Sequence, residues 1–478
     1  MGVVGLRSIF DIGRKGLRTN LAGLDVTGNN IANVNTEGYS RQKIQFKPSH
    51  SMKTPQGIFG TGAEIDGINR VRDAIVDRQI RTQSTPMGEY EVQENLYAQI
   101  ENIFSEPNAE YGIRTQIERL FDSFHELAND PESGTARKVV YEQAQVLSEV
   151  INIIDQQLTI LSADIGFEIN QKTNEINNIS TRISELNVKI ASAENNNATA
   201  NQLRDERDLE LDRLSKITNV YYNEESSGSI NVSVGSNSIV SDGFRVSTLT
   251  ATDYNDNGEI KTKITGTESG VEFIPRGGEL KALIDARNTI IPGYRENLDL
   301  LANTLITQVN AVHRNGVGLQ GSLSEVPHDN DFFTGTDAGD MDVSAAITSS
   351  VNNIAAAERN ELEHETGEVE IWGSPGDNTI ALQLANLKNV LLFESNTETF
   401  DDYLAKVVGG LGVEARDAKD NASRQEMVVN QFQNLRDSTS GVSLDEELTY
   451  LIQFQRGYQA ASRVITTVDE MFATLINM

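Results

Sequence analysis

One amphipathic run, from Thr135 to about Ala193, limits what this chain can become more than any other feature. Ala144, Leu147, Ile151, Ile154, Leu158, Leu161 and Ile165 alternate in steps of three and four, the spacing of a coiled-coil seam. The register slips by four at Ile169 and resumes at Ile176, Ile179, Ile183, Leu186 and Ile190; such a stutter locally unwinds a coiled coil. At 1.5 Å per residue the helix would be about 90 Å long, more than a compact globule can use. "ENNNATAN" (194–201) reads as a turn, and "QLRDERDLELDRLSKI" (202–217) as a returning helix. Composition points the same way. Hydrophobic residues are 38% of the chain and Trp occurs once, a thin supply for a globular core but enough for paired helices.

The two ends of the chain look alike. Phe10, Leu17, Leu24 and Ile31 recur every seven residues, with Leu21 as a second row. At the far end Leu444, Leu451, Tyr458, Ile465 and Phe472 form one row, and Phe454, Ala461, Val468 and Leu475 another. Gly13, Gly16, Gly23 and Gly28 lie inside the first helix, each costing about 0.5–1 kcal/mol relative to Ala. Alone that helix is marginal, so the two terminal helices are expected to pair, with Leu451, Tyr458, Ile465 and Phe472 against Leu17, Leu24 and Ile31.

Between the ends, residues 39–47 read as a strand ended by Pro48, and helical patterns cover 72–83 and 88–128. From Tyr221 hairpin turns and alternating Val, Ile and Thr mark a β portion, expected to be an inserted unit with its own core. A helical pattern at 279–314 contains Pro292, which should kink or break it. Residues 316–376 are mixed, and helices return at 378–391 and 398–437. The expected class is mainly α with inserted β, in elongated nested domains. Residues 1–85 with 438–478 form a terminal coiled coil and joint. Residues 86–220 with 277–315 and 378–437 form a long α-helical bundle. Residues 221–276 form an outer β-rich domain, with 316–377 as a candidate addition.

Composition also bounds chemistry. Net charge is −30, with 70 acidic residues against 40 Lys and Arg, so nucleic acid and anionic lipid are disfavoured as partners. No run reaches the roughly 18 apolar residues of a membrane span. There is no cysteine, which excludes disulfides and thiolate metal sites. Arg7, Asp11, Arg14 and Lys15 interrupt any secretory-signal core, which implies a cytoplasmic chain unless another export route exists. "DYNDNGEIKTKI" (253–264) begins like a calcium loop, but its twelfth position is Ile264 where a bidentate Glu belongs. A hairpin turn at "NDNG" accounts for it better. "ELEHETGEVE" (361–370) reads as a solvated acidic segment. His50, His125, His313, His328 and His364 are scattered without metal-ligand spacing. No phosphate loop, dinucleotide fingerprint or nucleophile elbow occurs. No catalytic, cofactor or metal residues are expected.

"NNIANVNTEGYSRQ" (29–42) crowds Asn29, Asn30, Asn33 and Asn35 just after the first helix. It resembles the motif shared by flagellar rod, hook and hook-associated proteins, the axial family. "GVSLDEELTYLIQFQRGYQAASRVITTVDEMFATLINM" (441–478) and "GGELKALIDARNTIIPGYRENLDLLANTLITQVNAVHRNG" (277–316) resemble the hook-associated branch, and 202–217 fits it too. The resemblance covers about 1–130, 200–220, 277–335 and 400–478. It implies a structural subunit at the junction between hook and filament that permits filament assembly. Alternatives within the family are a hook, rod or second junction protein. An alternative outside that role is a secreted enzyme or ligand-binding module carried on an axial scaffold. The resemblance further implies copies of the chain in a ring, the hook protein and the second junction protein as neighbours, and an export chaperone at the C-terminal helix. It implies an extracellular place on the flagellum, reached through the flagellar export channel without a cleaved signal. Under it the terminal rows Phe10, Leu17, Leu24, Ile31, Leu444, Leu451, Tyr458, Ile465, Phe472 and Leu475 become an assembly seam. Asn30, Asn33, Asn35, Thr36, Gly38 and Tyr39 become a rigid joint. Asn and Thr side chains can satisfy freed backbone groups locally, and Gly38 tolerates positive φ.

Overall fold

The computed structural model describes residues 2–54, 57–104, 112–195, 199–235, 237–256, 258–319, 330–363 and 369–476. Its helices, in chain order, are α1 (Gly2–Ala32), α2 (Ala74–Phe104), α3 (Ile113–Asn129), α4 (Gly134–Glu194), α5 (Asn201–Ile217), α6 (Glu279–Asp285), α7 (Ile291–His313), α8 (Ala345–Ser349), α9 (Thr379–Asn386), α10 (Phe400–Ser440) and α11 (Leu444–Ile476). The architecture is mainly α with inserted β, and it is nested. α1 packs along α11, and one layer inward α2 packs along α10. Between these layers β1 (Gln42–Pro48) pairs antiparallel with β4 (Ala63–Arg70), with a bulge between Gln45 and Phe46. At their far end sit β2 (Met52–Thr54) and β3 (Gly57–Phe59).

Two helix boundaries differ from the sequence reading. The patterns at 72–83 and 88–128 are instead α2, unbroken through Pro86, and a separate α3. Proline in a helix interior costs about 3 kcal/mol, and the long contact of α2 with α10 outweighs it. Pro292 does not break its helix either. A π-helical turn, Ala286–Ile290, precedes it, and Pro292 sits in the first turn of α7, where its missing N–H matters least.

That π turn meets α4 at the expected stutter. α4 runs for 61 residues without a break, capped by Ser133, whose Oγ accepts the Ala136 N–H. Its seam is buried: Leu147, Ile151, Leu158, Ile169, Ile176 and Ile183 have no exposed surface. Around the slip the buried side is carried by Ile165, Gly166, Ile169 and Thr173. A Cβ at Gly166 would lie 1.2 Å from Arg287 Nη1, so this glycine is the notch through which Arg287 crosses. Arg287 then reaches Asp253 Oδ2 at 2.8 Å. Its neighbour Asn288 accepts the Thr262 N–H and donates to the Thr262 carbonyl, both at 2.8 Å.

The β portion contains β5 (Val220–Glu224), β6 (Ile230–Val234), β7 (Asn237–Ser241) and β8 (Arg245–Val246) in one sheet. A second sheet orders β11 (Glu272–Phe273), β10 (Glu259–Gly266) and β9 (Leu249–Asp256). Its hairpin pairs Asp256 with Glu259, with Gly258 at φ +99° and Asn255 Oδ1 accepting the Gly258 N–H; this is the turn at the calcium-like motif. These strands do not close a core of their own, contrary to expectation. Val232, Ile239, Val240, Leu249, Ile264 and Phe273 belong to the same buried cluster as Ile176, Ile179 and Ile183 of α4. Asn187 of α4 donates to the Ile230 and Gly243 carbonyls and accepts the Ile230 N–H.

The described residues of 316–377 attach elsewhere than this β portion. Asn152 of α4 donates to the Met341 carbonyl, whereas Asn177 donates to the Leu249 carbonyl. The two attachments are about 37 Å apart along the helix. Phe332 and Phe333 pack instead near α3, with the Phe124 and Phe332 rings 5.4 Å apart. His313 holds this region. It is fully buried, its Nε2 accepts the Ala355 N–H at 2.8 Å, and its Nδ1 faces the Asn330 carbonyl at 2.7 Å. Accepting at Nε2 puts the proton of neutral imidazole on Nδ1, which donates to Asn330.

Burial pushes the His313 pKa down to about 4. The neutral form is therefore favoured by folding. Its contribution, about 3 kcal/mol from the shift below the ordinary 6.5, is complete above pH 6.5 and is lost as pH falls toward 4. Denaturant titrations across this range should show stability falling with acid more steeply in the parent protein than in His313→Gln. Equal slopes would mean that His313 does not carry the linkage.

Candidate assembly seam and joint

α1 approaches α11 closely at its glycines. A Cβ at Gly23 would stand 2.6 Å from the Phe454 ring, and one at Gly13 would stand 2.9 Å from Ile465 Cγ1. Each of the two α11 rows thus supplies a residue to a notch, Ile465 from one and Phe454 from the other. Phe454 and Ala461 lie against the α1 glycines, and Val468 is buried. Leu451, Ile465 and Phe472 are half-buried, while Leu444 and Tyr458 are 46% and 38% exposed. On α1, Phe10, Leu17, Leu24 and Ile31 are half-buried, and Leu6 and Val26 are buried. The Leu475 side chain lies outside the described residues. The physical reason for the close approach is backbone proximity: where glycine faces the partner, the helices sink together and a bulky side chain of α11 fills the notch.

The joint centres on Asn30, which is 1% exposed. Its Nδ2 donates to the Gln42 carbonyl at 2.9 Å and to Glu447 Oε2 at 3.0 Å. Its Oδ1 accepts from the Tyr39 hydroxyl at 2.8 Å and the Gln42 N–H at 3.0 Å. One amide therefore ties α1, β1 and α11 with its full hydrogen-bonding capacity. Glu447, also buried, takes Arg41 Nε at 2.8 Å, and the Arg41 N–H donates to the Ser440 carbonyl. Burial, with Asp205 and Glu447 nearby, pushes the Tyr39 hydroxyl up to about 12, so it keeps its proton and donates.

The rest of the motif builds the turn. Asn33 Nδ2 donates to the Asn29 carbonyl and side chain, and Thr36 Oγ1 donates to Asn33 Oδ1. Asn35 and Thr36 are exposed. Gly38 has φ +77°, and Leu209 Cβ lies 3.2 Å from where its own Cβ would stand.

Next to the turn lies a cluster that sequence reasoning missed. Asp205, Asp208 and Asp212 fall on one face of α5. Asp205 accepts the Ser40 N–H and hydroxyl, and Arg70 Nη1 reaches Asp205 and Asp208 at 2.8 Å each. Arg81 Nε and Arg436 Nη1 each lie 2.7 Å from Asp212, and Arg72 grips Asp77 with two hydrogen bonds. Burial would raise the Asp208 pKa, but Arg72, Arg70 and Arg81 outweigh it and hold the carboxyl below its ordinary value. The spacing of "DERDLELD" (205–212) was the available signal; read alone it is an ordinary solvated helix face. Among the described residues no group of three or more His, Asp or Glu is placed to hold a metal ion.

Paired chain ends, a polar knot at their root and a long helical body define an axial structural subunit. Three family models match in chain order. Flagella basal body rod protein matches residues 10–39, the Flagellar hook-associated protein FlgK helical domain matches 97–333, and Flagellar basal body rod FlgEFG protein C-terminal matches 436–478. Flagellar hook-associated protein 1 of Bacillus subtilis is 30% identical, over 98% of this chain and 97% of its own. That of Escherichia coli is 23% identical over 99% and 100%. The solved flagellar hook junction protein FlgK from Burkholderia pseudomallei shares the fold, with TM-score 0.63, 16% identity, and 76% and 100% coverage. The chain belongs to the flagellar hook-associated protein 1 family.

Asp205→Ala would leave the Ser40 N–H and hydroxyl without their buried acceptor and take from Arg70 one of its two carboxylates. It should cost about 3 kcal/mol or more in denaturant unfolding. Asn35→Ala, on the exposed side of the same turn, should stay within about 0.5 kcal/mol. Equal effects would show that the joint is held by the turn and not by the cluster.

Proposed function

We propose that this chain is a subunit of a ring between hook and filament, a junction on which the filament assembles. It neighbours the hook protein on one side and a second junction protein on the other. The observation that carries this is the closure of the two termini on each other, knotted at Asn30 and Glu447. A subunit so built presents one rigid end to its neighbours and sets its body at a fixed angle through the joint. In a tubular assembly that angle is the function. The exposed terminal residues, Leu444 and Tyr458 among them, form a seam to be covered by adjacent copies. The domain division follows the nesting: terminal pair and joint, helical body, and β portion.

The chain is exported through the flagellar channel without a cleaved signal, and a chaperone shields the C-terminal helix until then. It has no catalytic role. Gold labelling of purified flagella with an antibody to the β portion should give a thin band at the hook–filament boundary. Label along the filament or within the basal body would overturn the assignment.

Tyr458→Asp tests the seam. The side chain is partly exposed in the isolated chain, so the thermal midpoint of the purified variant should shift by no more than about 2 °C. Cells exporting the variant normally should fail to build filaments. Normal filaments would remove the seam from the assembly interface.

A further inference from the structure

A groove in the N-terminal half of α4, beside the strand Asp342–Val343, gathers carboxylates without a cation among its walls. Its volume is about 610 Å³, and the exposed carboxylates of Glu142, Glu149 and Asp342 stand along it. Among the described residues Glu149 and Asp342 have no cationic partner. Glu142 has Lys138 at 3.4 Å, with both side chains more than half exposed. Two further oxygens at the groove are buried and unpartnered. Ser148 is 2% exposed, and its Oγ makes no hydrogen bond. Asn152 commits its Nδ2 to the Met341 carbonyl and leaves its Oδ1 without a donor. Ser148 and Asn152 are four residues apart and so share one side of the helix, the side where Met341 and Asp342 stand. Native structures leave few buried oxygens unmatched, because the loss is costly.

Three free carboxylates with two unmatched oxygens call for a cation that donates hydrogen bonds. A bare metal ion does not fit. Among the described residues no three acidic groups are placed to hold one, and Glu142 and Glu149, seven residues apart, are separated by about 10.5 Å along the helix. Val146 lies between them on the same face and is 38% exposed. Apolar surface between separated carboxylates matches a ligand whose ammonium groups are joined by methylenes, as a Lys stem lies on apolar surface with its head at a charge. We propose that this groove binds a linear organic polycation of the polyamine class. One ammonium sits at Glu142, the methylenes cross Val146, and the next ammonium sits among Glu149, Asp342 and the oxygens of Ser148 and Asn152. A chain of net charge −30 attracts any cation diffusely; the unmatched oxygens are what make this place a site. The same chemistry has two sources, a free polyamine or the Lys side chains of an adjoining protein. Binding of this kind requires no second copy and so does not depend on the ring.

Calorimetric titration of the purified full-length chain with spermidine, at about 0.15 M salt, should give one saturable site. Glu149→Gln and Asp342→Asn should each weaken it about tenfold. Glu426→Gln, which removes an exposed charge from α10, should leave it unchanged. Ser148→Ala should not lower the thermal midpoint, since that hydroxyl makes no hydrogen bond, yet should weaken spermidine about threefold. Equal weakening by Glu149→Gln and Glu426→Gln would reduce the binding to diffuse attraction and overturn the site. So would Mg²⁺ competing as strongly as spermidine, because a bare ion cannot span the two carboxylates. A photo-crosslinking amino acid replacing Gln145, on the rim, separates the sources in purified flagella. A product with another protein assigns the cation to that protein's Lys side chains. Spermidine recovered with the chain, and lost in Glu149→Gln, assigns it to free polyamine. Flagella that contain the chain and show neither would overturn occupancy of the groove.

Discussion

The contact between the two ends of the chain sets the order of everything between them. α1 cannot bury its apolar positions without α11, because the notches at Gly13 and Gly23 are filled by Ile465 and Phe454. Joining residues about 410 apart in an unstructured chain costs on the order of 5 kcal/mol in closure entropy alone. The nested layers reduce that cost. Once α2 lies along α10, Arg41 and Ser440 are hydrogen-bonded neighbours, and the terminal helices are two short arms from one root. Closure entropy therefore favours an order in which the inner body closes before the terminal pair.

Charge is distributed to match. The chain is strongly acidic, yet Arg41, Arg70, Arg72, Arg81 and Arg436 are concentrated at the joint, paired with Glu447 and the carboxylates of α2 and α5. Exposed ion pairs are worth little, but buried ones that lose a partner are costly. Placing guanidinium groups here makes the joint hard to bend by halves: any change of angle must break several desolvated pairs together. The body and the terminal pair thus meet at the joint through desolvated ion pairs.

Periodicity made the long elements legible. The rows of α4, α1 and α11 and the β character of 221–275 all follow from spacing, because one face of each must be apolar over many turns. Less was legible where the deciding contact is between distant segments. The joint motif showed turn chemistry, but nothing in Asn30 announces Glu447 as its partner, and the Asp205–Asp208–Asp212 face looks solvated until Arg70 and Arg81 are placed against it. How deep each terminal residue lies was illegible for a related reason. Heptad spacing finds the bulky residues, whereas glycines decide how near two backbones come, and so how deep each side chain sits. The β portion and residues 316–377 both read as β inserted in helix; only their attachments, at Asn177 and Asn152, show that they occupy different stretches of α4.

The stutter in α4 is where these two stretches part. At Gly166 the helix gives up a side chain so that Arg287 can cross from the π turn to Asp253. C-terminal to that point α4 carries the β sheets, held by Asn177 and Asn187. N-terminal to it the outward row stays apolar through Phe167; past it the same row becomes Asn174 and Thr181. A single straight coiled-coil register would have aimed both halves of α4 at the same side. Shifting the register at one glycine turns the buried face toward the β portion in the distal half. The irregularity in the longest helix is thus what lets one element serve as core for the β portion in one half and for residues of the helical body in the other.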